Sequence, residues 1–461
     1  MKKINVQLSI ASIILLIGVF LSGCEIFYPS QLEEDYQANI LPSTELSTTV
    51  SSTTESTTKK VTTTTSTTVK SAVKSTTTSK AKATTTVAST VKKDGSSKTK
   101  LLTGNAPLSG SGNSVYAFNQ LSKAEQKIYK KIVNGIEACK SKIHLASGDP
   151  LDSDSVFSIY FAVLADHPEF FHVGNQVGFE FDGSDTYINK INLDKSGKAV
   201  SSYDTSTYKS MKKKLDKKVD KIILATKSMN NYERVKYFHD FIVLNTNYVE
   251  GKANSHNLYG VLIEGEAVCE GYARALQYLC NKSGIECLFI TGMSKDQHHG
   301  WNLVKLGGEF YHIDPTWNDP VGAPADYITY TYFGLTDKQI STDHYFSNAD
   351  RSISHYKKLP AANGSKYNYH LYNKLYFTSA SNVESDLTKV ILNAAKSKQK
   401  YVEIKFSNFA AYQDAYSTLK SGGFYNALNA AAEKNKKIST KMNSFRYNDT
   451  QYILSFEISY N

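Results

Sequence analysis

The chain has 461 residues, 41% hydrophobic and 21% charged, with a formal net charge of +10. That length allows two domains. Residues 43–100 hold ten Lys and three acids, the first 24 residues add +2 and residues 25–42 add −4, so only +5 remains for residues 101–461; with no DNA-binding motif, this balance excludes nucleic acid as the economical partner.

The N-terminus, MKKINVQLSIASIILLIGVFLSGC, sets Lys2 and Lys3 before an apolar run that closes on Leu21, Ser22, Gly23 and Cys24. A positive start, a short apolar segment and small residues at its end predict a secretory signal peptide over residues 1–24, too brief for a stable span. The Leu-Ser-Gly-Cys ending resembles a bacterial lipobox, which implies a fatty acid such as palmitate on Cys24 and a lipoprotein held on the extracellular face of the cell membrane. An uncleaved anchor would give the same compartment.

Residues 25–112 predict a stalk. Between Ser43 and Lys100 there are 33 Ser and Thr and almost no aromatic residue. Such a segment has too little apolar surface to offset its ordering entropy, so it reads as a disordered linker open to O-glycosylation. From Cys24 to residue 112 its root-mean-square span is roughly 50 Å, enough reach to work within a cell wall.

The folded part is expected to begin near residue 113. In SKAEQKIYKKIVNGIEACKSKI, Ser122 and Glu125 form a capping-box pattern, and Ile128, Ile132, Ile136, Cys139 and Ile143 recur at helical spacing. A second helix over DSVFSIYFAVLADHPEFF is broken by Pro168. The alternating segment VGFEFDGSDTYINKINLDKSGKAV reads as a hairpin, and helices follow over about 206–228 and 231–246. From 259 to 320 helix and sheet meet: GEAVCEGYARALQYLCNKSGI is followed by short strands in ECLFITG, HGWNLVKL and EFYHIDPTW. Beyond about residue 365, from HLYNKLYFTS to QYILSFEISY, the order strand, helix, strand, helix and two strands predicts a smaller C-terminal α/β domain over 365–461, with KLPAANGSKYN as its boundary.

The only two tryptophans, Trp301 and Trp317, stand near three histidines in QHHGWNLVKLGGEFYHIDPTWNDP. Gly307 and Gly308 supply the positive φ of a two-residue hairpin turn. Directly opposed positions then sum to 615, so Asp314 faces Trp301, and alternation puts His299 on the same face as diagonal neighbour of Asp314. Cys269 precedes Glu270, Gly271, Tyr272 and Ala273 where a helix starts, and a thiol there feels the positive end of the helix dipole. Cys, His and Asp in these places meet the requirements of nucleophilic acyl transfer. A metal site from His298, His299, His312 and Asp314 is the competing reading; it is disfavoured because His298 and His299 point to opposite strand faces and His312 faces position 303. Of the other thiols, Cys280 and Cys287 are near enough in sequence to pair, although buried free thiols are the more ordinary outcome.

The runs Cys269-Glu-Gly-Tyr-Ala, His299-Gly-Trp-Asn and Asp314-Pro-Thr-Trp together resemble the bacterial form of the transglutaminase-like superfamily. The resemblance covers roughly residues 150–345, including DHPEFF and YFGLTDKQISTDHYF. It departs at Gly300, where the family often has Ala, and at Phe310, where it often has Trp. It implies an α+β fold over 113–360, a papain-like transglutaminase core of helices packed on an antiparallel sheet. It also implies Cys269 as nucleophile, His299 as acid and base, and Asp314 as orienter, with no cofactor and no metal. The oxyanion would then take the Cys269 N–H and one upstream donor, Tyr259 or His256. Water as acceptor gives a protease or amidase and a Lys amine gives a crosslink. The expected partners are a protein or cell-wall peptide substrate and the membrane through the lipid. No Asp-rich calcium loop occurs, so activity is expected to persist in chelator. The alternative is a catalytically idle fold kept as a cell-wall or protein binding module.

Overall fold

A computed structural model of the protein describes residues 115–140, 142–146, 152–173, 178–182, 185–190, 205–345, 356–441 and 444–461. The signal segment with Cys24 and the stalk lie outside the described residues. No helix among the described residues is long and apolar enough to cross a membrane.

The Ser122–Glu125 capping box forms, with side chain and backbone of each residue paired to the other, and starts helix α1 (Lys123–Glu137). The helix stops short of the predicted end. Cys139 takes a left-handed φ of 50° and the Lys140 N–H donates to the Gly135 carbonyl, closing the C-terminus. Ile143 instead begins strand β1 (Ile143–Ala146), and its side chain folds back over Gly135. An apolar residue six places past the helix end is therefore buried against that helix without belonging to it, which periodicity cannot distinguish. Helix α2 (Ser153–Asp166), capped by Asp152, ends before Pro168 as expected. Strands β2 (Gly178–Asp182) and β3 (Asp185–Lys190) form the predicted hairpin, and β1 joins its β3 edge; residues 191–200 of that segment lie outside the described residues. Helices α3 (Thr205–Ala225) and α4 (Asn231–Asn245) follow.

Helix α5 (Cys269–Lys282) is buried along most of its length. Every residue from Gly271 to Asn281 is buried, as expected of a helix covered all round. It packs on strands β4 (Cys287–Ser294) and β5 (Gln297–Leu306) and against α4. Three of its polar side chains reach backbone: Arg274 donates to the Leu164 carbonyl, Gln277 to the Ala165 carbonyl, and Asn281 bridges both the N–H and the carbonyl of Cys287. With β6 (Glu309–Ile313), β7 (Phe333–Leu335) and β8 (His344–Tyr345), the sheet is five-stranded in the order β8-β4-β5-β6-β7, and all its pairs are antiparallel. The fold is helices packed on an antiparallel sheet, as the α+β reading requires. Only its three central strands are legible as a pattern; β7 and β8 are two or three residues long.

None of the described thiols, Cys139, Cys269, Cys280 and Cys287, is in a disulfide, so no Cys280–Cys287 bridge forms. Burial, then the neighbouring Cys280 thiol, holds the Cys287 thiol well above its ordinary value.

The last hundred residues build a four-stranded sheet from β9 (Tyr376–Phe377), β10 (Tyr401–Phe406), β11 (Phe445–Asn448) and β12 (Ile453–Glu457), in the order β9-β10-β12-β11. Helices α6 (Val383–Ala395), α7 (Phe409–Thr418) and α8 (Phe424–Lys434) pack on it around Leu387, Ile391, Phe424, Leu428 and Phe456. The stretch HLYNKLYFTS is mostly not the predicted strand. Asn368 accepts from the His370 and Leu371 N–H groups and turns Tyr369–Tyr372 into one helical turn, leaving Tyr376–Phe377 to pair in parallel with β10. The Tyr330 N–H donates to Glu403 of β10, a buried bond between this sheet and the chain ahead of it.

A glycine fixes where α5 begins. A Cβ on Gly271 would lie 2.5 Å from the Ser255 carbonyl oxygen and 2.7 Å from Ala267 Cβ. The 254–257 loop can therefore approach the helix start, where Val268 N–H donates to the same Ser255 oxygen at 2.9 Å. Gly271→Ala is expected to cost about 1–3 kcal/mol of stability by overpacking, read as a lowered urea midpoint with unchanged slope.

Candidate active site

Cys269 is the first residue of α5, after an extended Val268 that offers no side-chain cap. Its sulfur thus sits where the N–H groups of the first helical turn and the dipole favour negative charge. The thiol is 2% exposed, so the site admits only a narrow approach. The hydroxyl of Tyr272, one turn on, shares its one proton between Asp319 at 2.7 Å and the Thr246 carbonyl at 3.0 Å, tying the helix start to the loop beyond the hairpin.

The hairpin has the derived register. Gly307 and Gly308 both have positive φ, and Leu306 pairs with Glu309 through to Asn302 with Ile313, every pair summing to 615. Trp301 and Asp314 are next in line, just past the ladder. His299 Nε2 lies 2.6 Å from Asp314 Oδ2, with both side chains almost fully buried. An ionised carboxylate only accepts, so Nε2 carries the proton and Nδ1 is left for the Cys269 thiol, which hydrogen-bonds the same ring. Burial alone would push the His299 imidazole down; the charge and hydrogen bond of Asp314, then Cys269, overcome it and hold it at about 10. Burial also works against the Asp314 carboxylate, but the charge and hydrogen bond of His299, followed by those of His344, hold it well below the usual carboxylate range. Its other oxygen, Oδ1, accepts from the Thr316 and Trp317 N–H groups at 2.9 and 3.1 Å.

His344 was not singled out from the sequence. Its Nε2 lies 3.0 Å from the same Asp314 Oδ2, and its Nδ1 lies 2.6 Å from Asp343 Oδ1. A lone Asp-His pair after a short capped turn carries little signal; the pairing of His344 with Ser294 across β8 and β4 is what brings it to the site.

Trp301 stacks near His299 with ring centroids 6.0 Å apart and planes 16° apart, and Trp317 meets the same ring edge-on at 6.2 Å. Trp301 Nε1–H donates to His312 Nδ1 at 3.0 Å, while His312 Nε2 lies 2.8 Å from Asp337. His312 is thereby committed away from His299, as its register position implies, and His298 is exposed. One donor atom each from His299, Asp314 and His344 lies within 4.8 Å of the others. Both Nε2 atoms, however, are at hydrogen-bonding distance from one carboxylate oxygen, which makes this a hydrogen-bonded set.

Of the two upstream oxyanion candidates, Tyr259 has its N–H donating to Asn257 Oδ1 at 2.9 Å. The half-exposed His256 ring lies 3.4 Å from Glu270. The hydrogen bond to Glu270, ahead of burial, raises the His256 imidazole, and the charge of Cys269 adds to the rise.

A family model described as the transglutaminase-like superfamily matches residues 219–315, a segment containing Cys269, His299 and Asp314. The proteins named kyphoscoliosis peptidase from Homo sapiens and Mus musculus are each 24% identical over 94 residues, covering 17% of this chain and 14% of theirs. The alignment thus spans about one seventh of the length of these curated relatives. Among solved structures, a Cytophaga hutchinsonii protein thought to be a cysteine protease is 20% identical, with a TM-score of 0.21 over 29% of this chain and 51% of that one. A structure described as a TGase is 17% identical, with a TM-score of 0.23 over 40% and 52%. The family match supports thiol-dependent amide chemistry in general terms.

Proposed function

We propose that this chain is a cell-surface, lipid-anchored acyltransferase or amidase whose nucleophile is Cys269. The single observation that carries the reading is the His299–Asp314 contact at 2.6 Å, which leaves the second ring nitrogen to the thiol at a helix N-terminus. A cationic imidazole and the helix dipole together favour the thiolate. Cys269 Sγ attacks the carbon of a carboxamide and forms a C–S bond. His299 delivers its Nδ1 proton to the departing nitrogen as the C–N bond breaks, and ammonia or an amine leaves. His299 then accepts a proton from the second substrate, water or a Lys amine, whose attack on the thioester breaks the C–S bond. Asp314 orients the ring and stays ionised throughout. The signal segment, Cys24 and the Ser/Thr-rich stalk support a site held outside the membrane within reach of surface proteins or wall peptides.

The test incubates the full chain, with chelator present, with an acceptor protein and a labelled primary amine. Amine incorporation that requires Cys269 supports crosslinking, and ammonia release or cleavage without incorporation supports hydrolysis. Neither activity, with retained binding to cell walls, overturns the enzyme reading in favour of an idle binding module.

A further inference from the structure

Beyond residue 315, where the family match ends, the chain contributes a second group to the site. We infer that His344 is a positioning residue for His299, acting through Asp314 and anchored by the C-terminal sheet; the activity part of its test rests on the acyl-transfer reading above. Asp314 Oδ1 is committed to two backbone N–H groups. Rotation about Cβ–Cγ would move both oxygens together, so these bonds restrain the carboxylate plane from the Oδ1 side, away from Oδ2, the oxygen that must meet His299. His344 Nε2, at 3.0 Å from Oδ2, adds a restraint at the Oδ2 side itself, from a direction other than that of His299. The His344 and His299 rings cross at 64° with centroids 5.4 Å apart, so the two approach Oδ2 from different sides.

His344 is held in turn. Asp343 Oδ1 lies 2.6 Å from its Nδ1. Asp343 Oδ2 accepts from the Tyr332 hydroxyl at 2.7 Å and from Gln451 Nε2 at 3.3 Å. Gln451 sits in the turn between β11 and β12. It also donates to Thr342 Oγ1 at 2.5 Å and accepts from Lys405 Nζ at 3.1 Å. Lys405, Gln451, Asp343, His344 and Asp314 thus form a chain of buried polar groups from the C-terminal sheet to the imidazole. Burying so many polar groups costs free energy unless each is satisfied. Here each partner also fixes the next one's orientation.

The test compares the full-length wild type with His344→Ala, His344→Gln and Gln451→Ala. One readout is the rate of Cys269 alkylation by iodoacetamide at pH 6; the other is the downfield NMR resonance of the His299 Nε2 proton. His344→Ala is expected to slow alkylation about 10- to 100-fold, as for loss of one charge-assisted hydrogen bond, and to move the resonance. The amide N–H of Gln reaches the place of Nε2, so His344→Gln is expected to recover most of the rate. Gln451→Ala should act in the same direction by less than about tenfold, and it carries the test if His344→Ala does not fold. A folded His344→Ala variant with wild-type rate and resonance overturns the inference, as does a loss that His344→Gln does not recover. If the wild type shows no Cys269-dependent alkylation, the acyl-transfer reading fails on its own. The resonance then decides: a shift in His344→Ala supports positioning and no shift overturns it.

Discussion

Asp314→Asn is expected to give a folded protein that has lost roughly 10⁴-fold in amide turnover, the scale seen when an orienting carboxylate becomes an amide and the imidazole is left in the wrong tautomer. The replacement keeps an oxygen for the Thr316 and Trp317 N–H groups. It presents an NH₂ where His299 and His344 now meet Oδ2. His299 can then pair with that amide only by giving up its Nε2 proton, which leaves a neutral ring protonated on Nδ1 and removes the imidazolium that favours the Cys269 thiolate. Asp314→Ala is the contrasting variant. It leaves buried donors without an acceptor and is expected to cost about 3–5 kcal/mol of stability, as for removal of one partner of a buried ionic pair. The pH dependence has a defined sign. The Asp314 carboxyl is depressed from an ordinary value of 3.8, so its contribution is present above that value and is lost as pH falls. Urea midpoints measured downward from pH 5 should therefore fall more steeply for wild type than for Asp314→Asn. Equal slopes, or full activity in Asp314→Asn, would remove Asp314 from its proposed role.

Cys269→Ala is expected to abolish amide processing and thiol labelling by a substrate-like electrophile at pH 6 while leaving the melting profile near wild type. The thiol is one small group at a helix start, and replacing it by Ala removes little packing. Of the other described thiols, Cys287 is raised by burial and by Cys280, and an ordinary thiol reacts slowly at that pH. Because Cys269 is 2% exposed, iodoacetamide should label it faster than a bulky maleimide does. The imidazolium that assists the thiolate is held at about 10, above its ordinary 6.5, so its stabilising contribution is complete below 6.5 and is lost as pH rises through about 10. Wild-type labelling should thus exceed that of a model thiol most at acid pH, with the excess vanishing above about 10. Undiminished turnover in Cys269→Ala would end the enzyme reading.

How far the chemistry could be read from the chain depended on sequence distance. The helix start at Cys269 and the Gly307–Gly308 turn are local, and the turn sets the register that makes His299 and Asp314 neighbours. Strand and helix limits were read less well where packing intervenes. Ile143 continues the apolar spacing of α1 but belongs to β1, and Tyr369–Tyr372 follows its Asn368 cap into a turn despite its strand-like composition.

By itself, then, the sequence determined which residues start helices, where the hairpin turns and which side chains share a strand face, because helix and strand periods and glycine's access to positive φ act over a few residues. Only the tertiary structure decided that α5 lies against β4 and β5, that His344 shares Asp314 with His299, and that Gln451 of the last hairpin holds Asp343. Gln451 stands more than a hundred residues from Asp343. Contacts at that separation arise from the docking of whole elements that bury apolar faces, and no local pattern specifies them.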